Sequence, residues 1–497
     1  MTIHLFRKDL RRLGMLMLAV SALAAFQAFV QGHGAPRFLE SAARWRQLEA
    51  LLTAATMFGW ALLITLAVQE DGLTGSDEDW LTRPIGWRHL LQAKILFLIA
   101  VVMLPMTLSQ FYVVWAQGFS PWQHLTGLCT QVLMNTGTFL LPALGLAALT
   151  KNVAQAVLGG FLFVLAMAAV ETSGVLRSDS LGEMDWVRSL AMYSLITFVA
   201  VGVTLWQYVT RRVAPARVAA AVGALLFIGS PAAVTWGGAQ SIDHLRWKDV
   251  GGLQVRLGDP VPSAQALKLP SVWQSGETST WVGFPLEVSG IQPAHRLRAA
   301  GGRLDLVAPD GDRIQTSPLW AEFMRHELLP DGRIRYRLIV NLPNGFYARH
   351  ATQSLHLSGE LSFGVVRPET PVTVRPGERA VEVPGVGRCS AYYSSPSNAR
   401  QLFLDCRQPY QTPAALDAVL RRPGMPDAPS DRHMSGRAMF EPLPAHMDFN
   451  PMVDSFATWL EPSDAGEIIA TPLTGVQLVR RQLQASGVHL QDYSARR

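Results

Sequence analysis

The chain has 497 residues, 49% hydrophobic and 16% charged, with 43 Lys and Arg against 38 Asp and Glu. The charge is divided unevenly, since residues 1–236 hold 16 basic and 12 acidic groups while residues 237–497 hold 27 and 26. The first half is therefore charge-poor and membrane-like, the second has the charge density of a soluble domain and is one charge from neutral, and the basic excess lies in the membrane half, which argues against nucleic acid as a partner.

The N-terminal segment HLFRKDLRRLG sets Arg7, Lys8, Arg11 and Arg12 beside Leu5, Phe6 and Leu10, and residues 13–31 carry no charge. A cleaved signal peptide has this layout too, but further apolar runs follow, so the reading is a retained first span preceded by a basic interfacial helix. Uncharged runs continue over 50–69, 95–150, 152–170, 189–210 and 218–236. A span needs roughly 20 apolar residues. The run 95–150 is too long for one and is broken by AQGFSPWQH around Gly118 and Pro121, so it folds as a hairpin and the total is seven spans. Cys129, inside that run, reads as a small packing residue. No Asp or Glu lies between the span boundaries, only amides such as Gln110 and Asn135 and edge groups such as Lys94 and Glu171. A transporter driven by protons or sodium needs an intramembrane carboxylate, so any driving energy comes from elsewhere. Lys94 reads as an anchor whose ammonium reaches back to the interface.

Residues 70–94, EDGLTGSDEDWLTRPIGWRHLLQAK, form a polar interval between the second and third spans. Ser76 followed by Asp77, Glu78 and Asp79 is how a helix starts, with an N-cap hydroxyl and carboxylates at the positive end of the dipole. Trp80 and Leu81 give it an apolar side, and Pro84 stops it by pushing Arg83 out of the helical region. A second helix starts near Gly86 and carries Arg88 and Lys94 into hydrocarbon. The expected object is a short amphipathic helix at the membrane face, near residues 76–83. Flanking positive charge sets the orientation: with the N-terminus in the cytoplasm, eleven Lys and Arg flank the spans inside and five outside. That topology puts the 70–94 interval in the cytoplasm and everything after Trp236 outside it.

From residue 237 the pattern changes to period-two segments separated by turn dipeptides. Examples are RLDLVAP before Asp310-Gly311, RIRYRLIVNL between Asp331-Gly332 and Asn344-Gly345, SLHLSGELSFGVV, TPVTV and GERAVEV. Such alternation predicts an antiparallel, sandwich-like β domain. Cys389 and Cys406, the only cysteines of this half, either pair or stay free, and pairing requires an oxidising compartment. Residues 408–465 read as irregular, and the tail reads as a return to strands with a short helix. Met425, His433, Met434, Met439, His446, Met447 and Met452 are soft ligands, but at irregular spacing; they read as gap fillers and no metal is assigned. There is no GxxxxGK[ST] phosphate loop, no GxSxG elbow, no HExxH and no CxxC pair, so no catalytic residue and no cofactor is assigned and the chain reads as no enzyme.

The string Glu70-Asp71-Gly72-Leu73, Gly75, Trp80-Leu81-Thr82-Arg83-Pro84-Ile85, Arg88, Leu90-Leu91 and Ala93-Lys94 resembles the segment between the second and third spans of ABC-2 type transporter permeases. In those proteins an acidic, glycine-containing lead is followed by a hydrophobic-x-x-Arg-Pro-Ile/Val-x-x-Arg-x-Leu-Leu-x-Ala-Lys run. The likeness covers about 25 residues in motif and the membrane half in topology. It implies a coupling helix that docks on a separate ATP-hydrolysing subunit, with Asp77, Glu78, Asp79, Trp80, Leu81, Arg83, Pro84 and Arg88 as the contact residues. It also implies two ATPase copies, a second permease chain of like or unlike sequence, and export or movement of a substrate across a bacterial inner membrane. The family commonly has six spans, and its pattern does not explain the seventh or the large periplasmic domain. The expected architecture is thus a polytopic α-helical permease domain over 1–236 and an extracytoplasmic β-rich domain over 237–497. The contender is a polytopic scaffold or receptor whose outer domain binds a ligand or envelope protein; an outer-face hydrolase would need a nucleophile and base that cannot be named.

Overall fold

The computed structural model describes residues 1–33, 42–70, 86–172, 185–234, 236–243, 252–260, 279–292, 294–316, 325–328, 334–394, 401–409, 415–421, 428–429, 451–459 and 466–493. Among the described residues the first half forms seven long helices: α1 (Thr2–His33), α2 (Ala42–Gln69), α3 (Trp87–Ala116), α4 (Leu125–Leu149), α5 (Val153–Thr172), α6 (Asp185–Thr210) and α7 (Val213–Ala233). Among the described residues six of these are long and apolar enough to cross a membrane. The remaining one, α5, has 20 residues, about 30 Å of helix and the thickness of a hydrocarbon core. Helix is the form that satisfies backbone polar groups without water. Threonine hydroxyls within these helices follow the same rule by donating to the carbonyl one turn back, as Thr65 does to Ala61 and Thr204 to Ala200.

Side-chain neighbours give the helix directions. Thr197 lies beside Gly137 and Thr204 beside Gly145, so α4 and α6 run the same way and α5 between them must run back. The first helix is continuous from Thr2. The expected break between an interfacial helix and a span is not made: no proline interrupts 2–33, and Gly14, where the basic leader meets the span, stays helical. Two spans carry a π-helical turn near mid-length, Leu98–Met103 in α3 and Thr136–Leu140 in α4, each shortly before a proline, Pro105 and Pro142. A proline ring crowds the carbonyl four residues earlier and leaves it without a donor, and the wider turn relieves both effects.

The second half begins with a short helix, α8 (Trp236–Asp243), and becomes an antiparallel β domain with fifteen strands among the described residues. One sheet joins β1 (Gln254–Leu257), β2 (Ser279–Ser289), β6 (Ile334–Pro343) and β5 (Arg325–Leu328). A second joins β9 (Val381–Val383), β10 (Gly387–Ser394), β11 (Gln401–Pro409) and β14 (Met452–Trp459). The third has seven strands: β3 (Arg296–Val307), β4 (Arg313–Thr316), β7 (Leu355–Pro368), β8 (Val372–Val374), β12 (Ala415–Arg421), β13 (Ala428–Pro429) and β15 (Glu467–Val488). The sandwich-like domain holds two sandwiches, both built on the third sheet. One core packs Phe284, Val340, Leu357, Phe363 and Leu483; the other packs Val383, Leu404, Leu420, Ile468 and the Cys389–Cys406 pair. The 22-residue β15 serves both, paired with β8 and β12 in its first third and with β7 thereafter. Its register shifts between Thr474 and Gln477, where Gly475 has φ +65°.

Two local expectations change. Asn344-Gly345 opens a helix, α9 (Asn344–His350), where a hairpin turn was expected, and Asn344 accepts a hydrogen bond from Thr280 at 2.6 Å. Within 408–465, read as irregular, β12, β13 and β14 complete two of the sheets. Asp310-Gly311 does turn between β3 and β4, with Gly311 at φ +86°, and the tail ends in a four-residue helix, α10 (Leu490–Tyr493).

Candidate functional site at the membrane face

The interval singled out in the sequence enters from the end of α2 and leaves into the start of α3. Residues 71–85 lie outside the described residues, and with them the predicted contacts Asp77, Glu78, Asp79, Trp80, Leu81, Arg83 and Pro84. Both flanks are described, and both are tied to the N-terminal turns of α1. On the entry side Arg12 Nε meets Glu70 Oε1 at 2.8 Å, the carboxylate being only 11% exposed. On the exit side the Thr2 hydroxyl donates to Gln92 Oε1 at 3.2 Å and lies the same distance from His89 Nδ1. Deeper, Lys94 Nζ donates to Asp9 Oδ2 at 2.7 Å, and both side chains are 2% exposed. Gly86 is extended and serves as the N-cap of α3. Arg88 is exposed in the first turn, its guanidinium 5.4 Å from the Trp87 ring.

Lys94 is thus not an anchor reaching out to the interface, and Asp9 is an acidic group buried within the helix bundle. Two charges removed from water are tolerable only in contact with each other. The signal for this pair was in the phase of each helix. Asp9 shares the buried stripe of α1 with Leu13, Val20 and Ala24, and Lys94 shares that of α3 with Leu90, Phe97 and Val101. A lone charge in register with a core stripe calls for a partner of opposite sign.

The same face gathers other helix ends. Gln69 Nε2 donates to the Thr150 hydroxyl at 3.2 Å, joining the ends of α2 and α4. Arg217 donates through Nε and Nη2 to the Leu149 carbonyl at 3.1 and 3.0 Å, tying α7 to the end of α4. Asn152 caps α5, accepting from the Gln155 N–H at 2.9 Å. Arg7, Lys8, Arg11, Arg12, Arg88, Lys151, Arg212 and Arg217 all lie exposed at these ends, so among the described residues the face is cationic.

The β domain sits at the other end of the bundle. Gln117 Nε2 bonds the carbonyls of Gln31 and Gly32 at 3.2 and 2.8 Å, closing α1 onto the α3–α4 hairpin. Met452, the first residue of β14, packs into an apolar cluster with Ala28, Val113, Val114 and Leu128. Arg388 of β10 lays its guanidinium 5.8 Å from the Phe119 ring and against Gly118, whose φ of +86° turns the hairpin. Of the soft-ligand residues, Met452 is therefore an apolar contact, and the others lie outside the described residues. Among the described residues no three His, Cys, Asp or Glu converge as a metal site. Cys389 and Cys406 face each other across β10 and β11 and are bonded. Cys129 is exposed on the surface of α4, so it is not the packing residue expected.

One more site lies between α1, α2 and α3, where Gln27, Gln31, Ser109 and Gln110 meet Trp60 and Met106 around a cavity of about 20 Å³. In the β domain, the buried His350 (1% exposed) holds Asp312 Oδ2 at 3.0 Å through Nε2 and Gln353 Oε1 at 2.9 Å through Nδ1, clamping α9 to the β3–β4 turn. These bonds, Gln353 foremost and then Asp312, push the imidazole pKa up. The same histidine, with Arg349, pushes the Asp312 carboxyl down.

No protein-family model, no curated protein and no solved structure matches the chain.

Proposed function

We propose that the chain is the membrane subunit of an ABC-2 type transporter, coupling ATP hydrolysis by a separate ATPase to movement of a substrate across a bacterial inner membrane. The observation that carries the reading is the string Trp80-Leu81-Thr82-Arg83-Pro84-Ile85 with Arg88 and Ala93-Lys94, placed between the second and third spans. The geometry of its flanks supports it. Glu70 and His89 through Lys94 are held to one N-terminal segment, so a push on the interval reaches α1, α2 and α3 together. A packed, discretely arranged element of this kind can transmit a displacement where a loose connector cannot. The cationic character of that face supports a cytoplasmic assignment, and the disulfide in the β domain supports an oxidising compartment for the opposite side.

In this mechanism Trp80 and Leu81 fill a groove on the ATPase, Asp77, Glu78 and Asp79 meet basic groups at its rim, and Arg83-Pro84 fixes the bend. Two ATPase chains act with two membrane chains of like or unlike sequence. The test is purification of the chain from its native membrane, wild type against the W80E/L81E variant. An ATPase that co-purifies with the wild type and is lost from a fully inserted variant supports the reading. A wild-type chain that brings no ATPase, or a variant that keeps its ATPase and full substrate-stimulated turnover, refutes it and leaves the receptor or scaffold role.

A further inference from the structure

Gln110 lies on α3 six residues from its end at Ala116, about 9 Å of helix. Its side chain is 3% exposed, and neither Nε2 nor Oε1 has a protein hydrogen-bond partner. A primary amide offers two donors and an oxygen with two lone pairs, and burying all of them unmatched in a helix bundle is strongly unfavourable. The amide borders the cavity shared with Gln27 and Gln31 of α1 and Ser109 of α3. Gln27 donates its Nε2 to the Thr53 hydroxyl at 2.9 Å, which leaves its carbonyl oxygen for another donor. Three amides and a hydroxyl therefore converge on one small space, with apolar walls from Trp60, Met106, Ala24 and Ala28.

Charge and size choose the guest. No carboxylate, ammonium or guanidinium lines the cavity, so nothing there compensates an ion. About 20 Å³ exceeds the roughly 10–15 Å³ that one water requires. We propose that this cavity is an internal hydration site, in which a single ordered water bridges Gln110 to the amides of α1 and forms part of the folded bundle. The site makes the contact of α3 with α1 and α2 a wet one, whose hydrogen bonds can be exchanged without exposing a bare amide to hydrocarbon. The inference stands on the cavity alone and is independent of the transport reading.

Hydroxyl radicals generated by a synchrotron pulse label side chains beside ordered internal water, and methionine and tryptophan are among the most reactive targets. The experiment is pulsed X-ray footprinting of the full chain in lipid nanodiscs. Met103, packed on the apolar core one turn from Met106, serves as the dark control, and Met1 and Trp122, both exposed beyond the spans, serve as the bright ones. The expected result is clear labelling of Met106 and Trp60, as a hydrated cavity implies, with Met103 unlabelled. In Gln110→Leu, labelling of both should fall to the Met103 level. Wild-type Met106 and Trp60 as dark as Met103 would overturn the proposal, as would labelling that persists unchanged in Gln110→Leu. Since the wild-type arm is decisive, a variant that fails to fold does not rescue the idea.

Discussion

Removing one member of the Asp9–Lys94 pair should damage the bundle far more than removing both. At 2.7 Å and an effective dielectric constant of about 20, the two charges attract by about 6 kcal/mol. Both side chains are 2% exposed, so each has given up nearly all of its hydration, at several kcal/mol per ion, and the pair comes out close to neutral. Asp9→Leu alone leaves a buried ammonium with its main anionic partner gone, and should cost about 3–5 kcal/mol. Lys94→Met alone leaves the carboxylate stranded at a similar cost, raised somewhat by the further contacts that Lys94 makes. The double variant Asp9→Leu/Lys94→Met replaces two charges by apolar groups of comparable length, and should lie within about 1 kcal/mol of wild type. The assay is unfolding titrated with SDS in mixed micelles, read by tryptophan fluorescence, with all four corners of the cycle measured under one condition. Additive single-variant losses, or singles within about 0.5 kcal/mol of wild type, would refute the claim that the two groups hold each other in a dry site.

The β domain offers two further tests. Opening the Cys389–Cys406 bond, which closes a loop of 17-residue separation, should lower stability by about 3 kcal/mol; guanidinium titration of Cys389→Ser/Cys406→Ser against wild type measures it, and no change would contradict the burial of both residues in the second core. The His350–Asp312 clamp should give stability a pH window. The raised His350 pKa contributes stability that is complete below the unfolded value near 6.5 and is lost as pH rises through the higher folded value. The lowered Asp312 pKa contributes stability present above the unfolded value near 3.9 and lost as pH falls through the folded one. Melting temperature should therefore be highest between about pH 4 and 6.5 and decline on the alkaline side, and His350→Gln should flatten that decline; an identical profile in both proteins would show that the imidazole stays neutral in the fold.

The division into a helical membrane half and an antiparallel β half was legible because it rests on charge density and period, which read the same wherever the chain goes. The hairpin at Gly118 and Pro121 was legible for a similar reason, a polar break in a run too long for one span. What escaped the sequence depends on distant partners. Read against its own neighbours Lys94 belongs to the interface and nothing marks Asp9, whereas the burial of both follows from α1 crossing α3. Asn344-Gly345 has turn chemistry, yet the hydrogen bond from Thr280 on β2 makes Asn344 the first residue of a helix. The strands inside 408–465 are proline-flanked and short, so local propensity is weak, and pairing with β11 and β15 decides them. In the sequence Gln110 is simply a polar amide in a span, and only the packing of α1 and α2 around it reveals the cavity.

Because β15 threads both sandwiches, neither hydrophobic core can be dismantled while the other stays whole. A local opening around Ile468 would strip a neighbour from Leu420 and, through the same backbone, slacken the ladder that positions Leu483. The domain should melt as one cooperative unit, with amide hydrogens at the two ends of this strand exchanging at matched rates.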